Sequence, residues 1–130
     1  MKNLSISVLL VMSVSLIAAC TGQGRTSAQS ETLEQRLAVM GYKGRTEVKS
    51  INNYQLNGWN VVNKQAIVIK SSPKQHYLLT FARRCQDLST TEALRIDSST
   101  NVVTRFDKIV VGPSGMHNHC PIDRIYELRR

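Results

Sequence analysis

Aromatic side chains are scarce in this 130-residue sequence, which has one Trp, two Phe and four Tyr. Binding to single-stranded nucleic acid needs stacking platforms along a basic stripe, so the scarcity argues against that partner even though Lys and Arg (17) outnumber Asp and Glu (9). The few acids are scattered, and none forms a recognisable acid/base motif, which leaves glycosidase-type chemistry without its carboxylates. A G-x-S-x-G elbow is missing too: Gly112-Pro113-Ser114-Gly115 has the wrong spacing and reads as a loop. No C-x-x-C pair, cofactor motif, internal repeat or long low-complexity tract is present. These absences point away from an enzyme.

What the chain does have begins at its first residues. Lys2 is followed by an apolar stretch broken only by serines, Leu4 to Ile17, and then by Ala18-Ala19-Cys20. Charged, apolar and small residues in that order make a cleavable secretory signal. The stretch ends too soon, at Thr21-Gly22-Gln23-Gly24, for a spanning helix of about 20 apolar residues. Leu-x-Ala-Cys resembles the bacterial lipobox, which implies diacylglycerol on the Cys20 thiol, cleavage before it and acylation of the new amino group. Two or three acyl chains anchor stably, because each buried CH₂ contributes about 0.8 kcal/mol and one chain alone is marginal. By analogy with Gram-negative lipoproteins, Thr21 rather than aspartate favours the outer membrane.

The expected organisation is therefore a signal over 1–19, a Gly/Ser/Thr/Gln tether over 20–30 and one small β-rich domain over 31–130. Of three cysteines, lipidation takes Cys20 and leaves Cys85 and Cys120 as an even pair in an oxidising compartment, where a disulfide is the default expectation. From Cys20 onward the charge is about +7, since only Lys2 falls in the leader. Phospholipid headgroups or other envelope anions fit it better than nucleic acid does.

Ser30 as N-cap, Glu31 and Glu34 in the first turn, Leu33, Leu37 and Met40 at helical spacing and Gly41 as the stop predict one short amphipathic helix. After Gly44 short β-rich runs follow one another: about Val48 to Ile51, Gly58 to Val62, Gln65 to Lys70, His76 to Ala82, Leu94 to Asp97, Val102 to Arg105, Asp107 to Val111 and Ile122 to Leu128. Asn63-Lys64 reads as the loop of a tight hairpin, and 98–101 as the turn of a second one joining Leu94–Asp97 to Val102–Arg105. The last run does not alternate cleanly, so its inward face is undecided. The fold expected is mainly β, a small antiparallel sheet or partly closed barrel with one N-terminal helix and one disulfide.

Gly58-Trp59, Ala66 to Ile69, Tyr77-Leu78-Leu79, Cys85-x-x-Leu88, Ile96, Arg105-Phe106-Asp107 and Cys120-x-Ile122 with Ile125 resemble, in order and spacing, an uncharacterised family of small Gram-negative bacterial lipoproteins, domain of unknown function family 6491. The resemblance runs from about Ile51 to Leu128. It implies one domain with a disulfide and marks Trp59, Cys85, Leu88, Asp107, Cys120 and Ile122 as positions that define it; it brings no activity or catalytic residue. Physically these read as scaffold: a lone Trp anchors a core or rim, and Asp107 suits a semi-buried hydrogen-bond acceptor.

Met116-His117-Asn118-His119-Cys120 gathers two imidazoles, a thioether and a thiol within five positions, a set suited to copper or zinc. Pairing Cys120 with Cys85 removes its strongest ligand, leaving Met116, His117 and His119 on a polar loop. The sequence thus leads first to a lipid-anchored, non-enzymatic envelope protein that binds a partner or supports assembly. A metal-binding lipoprotein and a hydrolase-inhibitor lipoprotein, whose exposed loop would enter the enzyme's cleft, are the alternatives.

Overall fold

The structure, a computed structural model, describes residues 33–112 and 118–130. Helix α1 occupies residues 33–39 and stops where Gly41 adopts a φ of 88°. The Gly41 N–H donates to the Ala38 carbonyl and the Tyr42 N–H to the Leu37 carbonyl, both at 3.0 Å. Those two bonds make a Schellman cap, and the apolar contact that accompanies it is supplied by Leu37 and Tyr42, both buried in one cluster.

Nine strands follow among the described residues: β1 (Gly44–Val48), β2 (Ser50–Ile51), β3 (Trp59–Asn63), β4 (Ala66–Lys70), β5 (His76–Phe81), β6 (Leu94–Asp97), β7 (Val103–Thr104), β8 (Lys108–Val111) and β9 (Asn118–Arg129). The principal sheet is antiparallel, in the order β3-β4-β5-β9-β8-β6, and curls into a half-barrel. Strand β9 organises it. Its C-terminal part lies between β5, where His76 faces Leu128 and Phe81 faces Ile122, and β1, where Gly44 faces Arg129 and Val48 faces Ile125. Its first residues pair with β8, from Val111 opposite Asn118 to Lys108 opposite Pro121. Pro121 is tolerated there because β5 has just ended, and its carbonyl accepts from the Ala82 N–H at 3.3 Å. The two-residue ribbon of β2 and β7 stands apart from this sheet and contributes Ile51 and Val103 to its interior.

The central strands bury both faces, which is why they read as continuous apolar runs. Ile67, Ile69, Tyr77, Leu79, Phe81, Ile109, Ile122 and Ile125 fill the inside of the half-barrel, together with Cys85, Leu88 and Cys120. Val62, Ala66, Val68, Leu78 and Leu128 face outward, where Leu37 of α1 and Tyr42 cover them. The undecided face of the last strand is resolved by a register shift between Thr80 and Phe81, which pair with Arg124 and Ile122. Asp123 is the extra residue, so Ile122 and Ile125 face the same interior although three positions apart.

Two hairpin assignments are corrected. The first loop is Lys64-Gln65 rather than Asn63-Lys64: Asn63 pairs with Ala66, and its side-chain oxygen accepts from the Gln65 N–H at 2.7 Å, an Asx turn that moves the reversal one residue on. Leu94–Asp97 does not pair with Val102–Arg105. It pairs with β8, Leu94 opposite Val111 and Asp97 opposite Lys108, while β7 pairs with β2. The Ser98 hydroxyl donates to the Val102 carbonyl at 2.7 Å, closing a side-chain-led turn inside a long excursion.

Candidate functional site

At the end of β5 and just after it the chain is held against the β3–β4 turn by the Phe81 N–H on the Gln65 carbonyl and the Cys85 N–H on the Lys64 carbonyl, both 2.8 Å. Asp87 takes a φ of 59°, a left-handed conformation that Asp accepts more readily than most residues, and this turns Leu88 into the interior. Cys85 and Cys120 form a disulfide, with Cα atoms 5.4 Å apart, that fixes this loop to the start of β9. The Asn118 amide adds a 2.6 Å hydrogen bond to the Asp87 carboxylate.

His119 lies exposed on β9 opposite Val110. Its suggested co-ligands Met116 and His117 fall outside the described residues, as does Cys20. Among the described residues no three His, Cys, Asp or Glu side chains gather as a metal site would require. Ile122 faces the interior, and Trp59 is half-buried at the head of β3, packed on the same cluster opposite Ile69. Tyr54 is partly buried against that cluster; its hydroxyl is shielded from solvent without a protein partner among the described residues, and burial holds its pKa well above the ordinary phenol value.

Asp107 builds a turn. Its carboxylate accepts from the Thr104 N–H at 2.7 Å and the Thr104 hydroxyl at 3.0 Å, and the same hydroxyl receives the Phe106 N–H at 3.2 Å. The Asp107 carbonyl takes the Ile122 N–H at 3.1 Å, so the turn is tied to β9. Phe106 stands at its tip, 85% exposed, with the Arg105 guanidinium 5.0 Å from its ring centre. An apolar ring held in water beside a cation is the pairing that often anchors partner contacts. The sequence marked this tripeptide only as part of a resemblance; no local pattern told Phe106 from a core residue.

A second group lies around α1. The Tyr42 hydroxyl and His76 Nδ1 share a 2.6 Å hydrogen bond, with the rings edge to face at 5.6 Å. Arg130 lies over the Tyr42 ring at 5.5 Å. His76 is buried, and burial, then the charges of Arg130 and Lys70, hold its pKa below the ordinary histidine value of 6.5, against a hydrogen bond with the Pro73 backbone that works the other way. The unfolded chain therefore takes up this proton first. Stability from a neutral His76 is fully present above about pH 6.5 and declines as the pH falls below it. Melting temperatures measured from pH 7.5 to 5.5 should drop with acidification, and His76→Asn should flatten that slope; an unchanged slope would show that His76 does not set it.

On the other flank of α1, Arg36 donates to the Val62 carbonyl at the sheet edge. A groove of about 440 Å³ runs there between Gln35, Arg36, Val39 and Met40 of the helical segment and Val61 and Val62 of β3. Val39 is 89% exposed. No helix among the described residues is long and apolar enough to cross a membrane.

No curated protein and no solved structure matches the chain. A family model does match, over residues 2–130, and by that match the chain belongs to a family of unknown function, DUF6491.

Proposed function

We propose that this protein is a lipid-anchored component of the bacterial cell envelope, held at the outer membrane through acylated Cys20, and that its β domain binds a partner or supports envelope assembly rather than catalysing a reaction. One observation carries the reading: Cys20 stands behind Leu16-Ile17-Ala18-Ala19 at the end of a lysine-led apolar leader. Two others support it. A Cys85–Cys120 disulfide suits an oxidising compartment, and the family match reaches back to residue 2, so the leader belongs to what the family model describes. The rigid, exposed Arg105–Phe106 turn favours a second form of the reading, in which this loop enters a cleft of another envelope protein, as an inhibitor's would.

Intact mass of the protein purified from membranes tests the anchor. An acylated N-terminus at Cys20, with a gain of two hydrogens on reduction, is expected, and Cys20→Ala should leave the leader uncut. An unmodified N-terminus in the wild type would overturn the reading. Melting with Zn(II) or Cu(II) should change little; a large stabilisation that His117→Ala with His119→Ala abolishes would replace it with metal binding.

A further inference from the structure

The covering helix has an outer surface that folding does not need. At 100° per residue, Leu33, Leu37 and Met40 take one side of α1 and its cap, and Gln35, Ala38 and Val39 the other. Leu37 is buried, whereas Val39 is 89% exposed. A β-branched residue in a solvent-facing helical position adds neither packing nor helix propensity. Val39 opens instead onto the groove that continues over Met40, Val61 and Val62.

Cations border this surface. Arg36 is exposed on one flank, and beyond the helix C-terminus Lys43 and Arg130 are exposed, Arg130 lying on the helix side of the sheet above Tyr42. The acid on α1, Glu34, is neutralised by a 2.7 Å ion pair with Arg45. An apolar strip edged by exposed cations matches an anionic lipid surface, which offers acyl chains below and phosphates above. The covalent path agrees, because α1 is the first described element and Leu33 lies 13 positions after Cys20. A stretch of that length reaches no farther than about 45 Å, so an anchor at Cys20 keeps α1 within that distance of the headgroups.

We infer that the outer face of α1, with Val39 exposed between Arg36 on one flank and Lys43 and Arg130 beyond the helix C-terminus, docks onto anionic phospholipid and thereby fixes the orientation of the β domain on its membrane. The inference rests on the anchored reading for its setting. Anchoring makes the docking step intramolecular, so a surface too weak to recruit a free protein is sufficient to orient a tethered one.

The test supplies the anchor chemically, so its result does not depend on whether the cell acylates Cys20, which the mass measurement decides separately. The chain from Cys20 onward, carrying Val39→Trp, is coupled through the Cys20 thiol to maleimide-headgroup lipid in vesicles containing brominated phosphatidylcholine, with and without phosphatidylglycerol. The same chain with Val39 intact gives the background from Trp59. Bromine quenching above that background is expected when phosphatidylglycerol is present. Lys43→Gln and Arg130→Gln should each lower the docked-to-free ratio roughly fivefold. Circular dichroism of each variant should match the parent, since the altered side chains are exposed. Quenching no greater than background would overturn the inference, and so would quenching of a Phe106→Trp chain in place of the Val39→Trp chain. Shielding of the introduced indole without bromine quenching would also overturn it, by assigning the face to a second copy or another protein.

Discussion

Replacing Cys85 and Cys120 together by alanine is expected to remove about 4 kcal/mol of stability. Chain-entropy cost for a closed loop of 35 residues sets that figure. Domains of this size hold only about 5–15 kcal/mol in total, so the melting temperature should fall by roughly 15–30 °C. Both cysteines are almost fully buried, at 3% and 2% exposure, and alanine leaves no unsatisfied hydroxyl behind, as serine would. The loop they close contains β6, β7 and β8, so its release loosens Leu94, Val103, Ile109 and Val111, all of which line the interior cluster. Denaturant unfolding of the variant, and of the wild type in reductant, should show the same lower midpoint and a steeper dependence on denaturant, because the uncrosslinked unfolded chain exposes more surface. A reduced wild type as stable as the oxidised one would contradict this account.

Leu78→Ala and Leu79→Ala are neighbouring substitutions with different expected consequences. Both side chains are completely buried, so each should cost about 2–5 kcal/mol. Leu79 points into the half-barrel, walled by strands on several sides and by the disulfide, where a cavity has little freedom to collapse. Leu78 points the other way, under Leu37 and Tyr42, where a small shift of α1 can fill part of the space. Leu79→Ala should therefore be the more damaging by about 1 kcal/mol, following residual cavity volume. Leu78→Ala should selectively speed amide hydrogen exchange in α1. Equal losses, with α1 exchange unchanged, would show that the helix is not supported through this contact.

Much of the architecture was legible because its signals are local. Ile67 to Ile69 and Tyr77 to Leu79 are apolar at every position, and burial on two faces is what such runs mean. Leu33, Leu37, Met40 and Gly41 located the helix and its stop. Pairing was less legible because it is decided at long range. Nothing near Leu94 reveals that its partner is Val111 rather than Val103, since local turn residues at 98–101 serve either topology. Strand β1 escaped the pattern almost entirely: Gly44-Arg-Thr-Glu-Val has no buried member, because it lies at an edge and is held by backbone bonds to β9. The bulge at Asp123 hid the inward face of β9 by shifting its parity.

The candidate surfaces were harder still. Exposure of Phe106 and Val39 follows from where the turn and helix sit, and an exposed apolar residue is written in the sequence just as a buried one is. Asp107 could be read as an acceptor, but its partner Thr104 emerges only with the folded turn. The Tyr42–His76 contact joins residues 34 positions apart and leaves no local trace.

The position of β9 after all of its partners has a consequence for the order of folding. Strand β9 is shared by β1, β5 and β8, so while it is missing β1 has no strand beside it and the sheet is split between β5 and β8. These pairings span most of the described sequence, which makes closure slow relative to a chain of local hairpins. A polypeptide emerging N-terminus first makes β9 after every strand it joins and cannot complete its sheet prematurely. That delay couples the completed fold to the arrival of β9, which would suit the exported precursor proposed above.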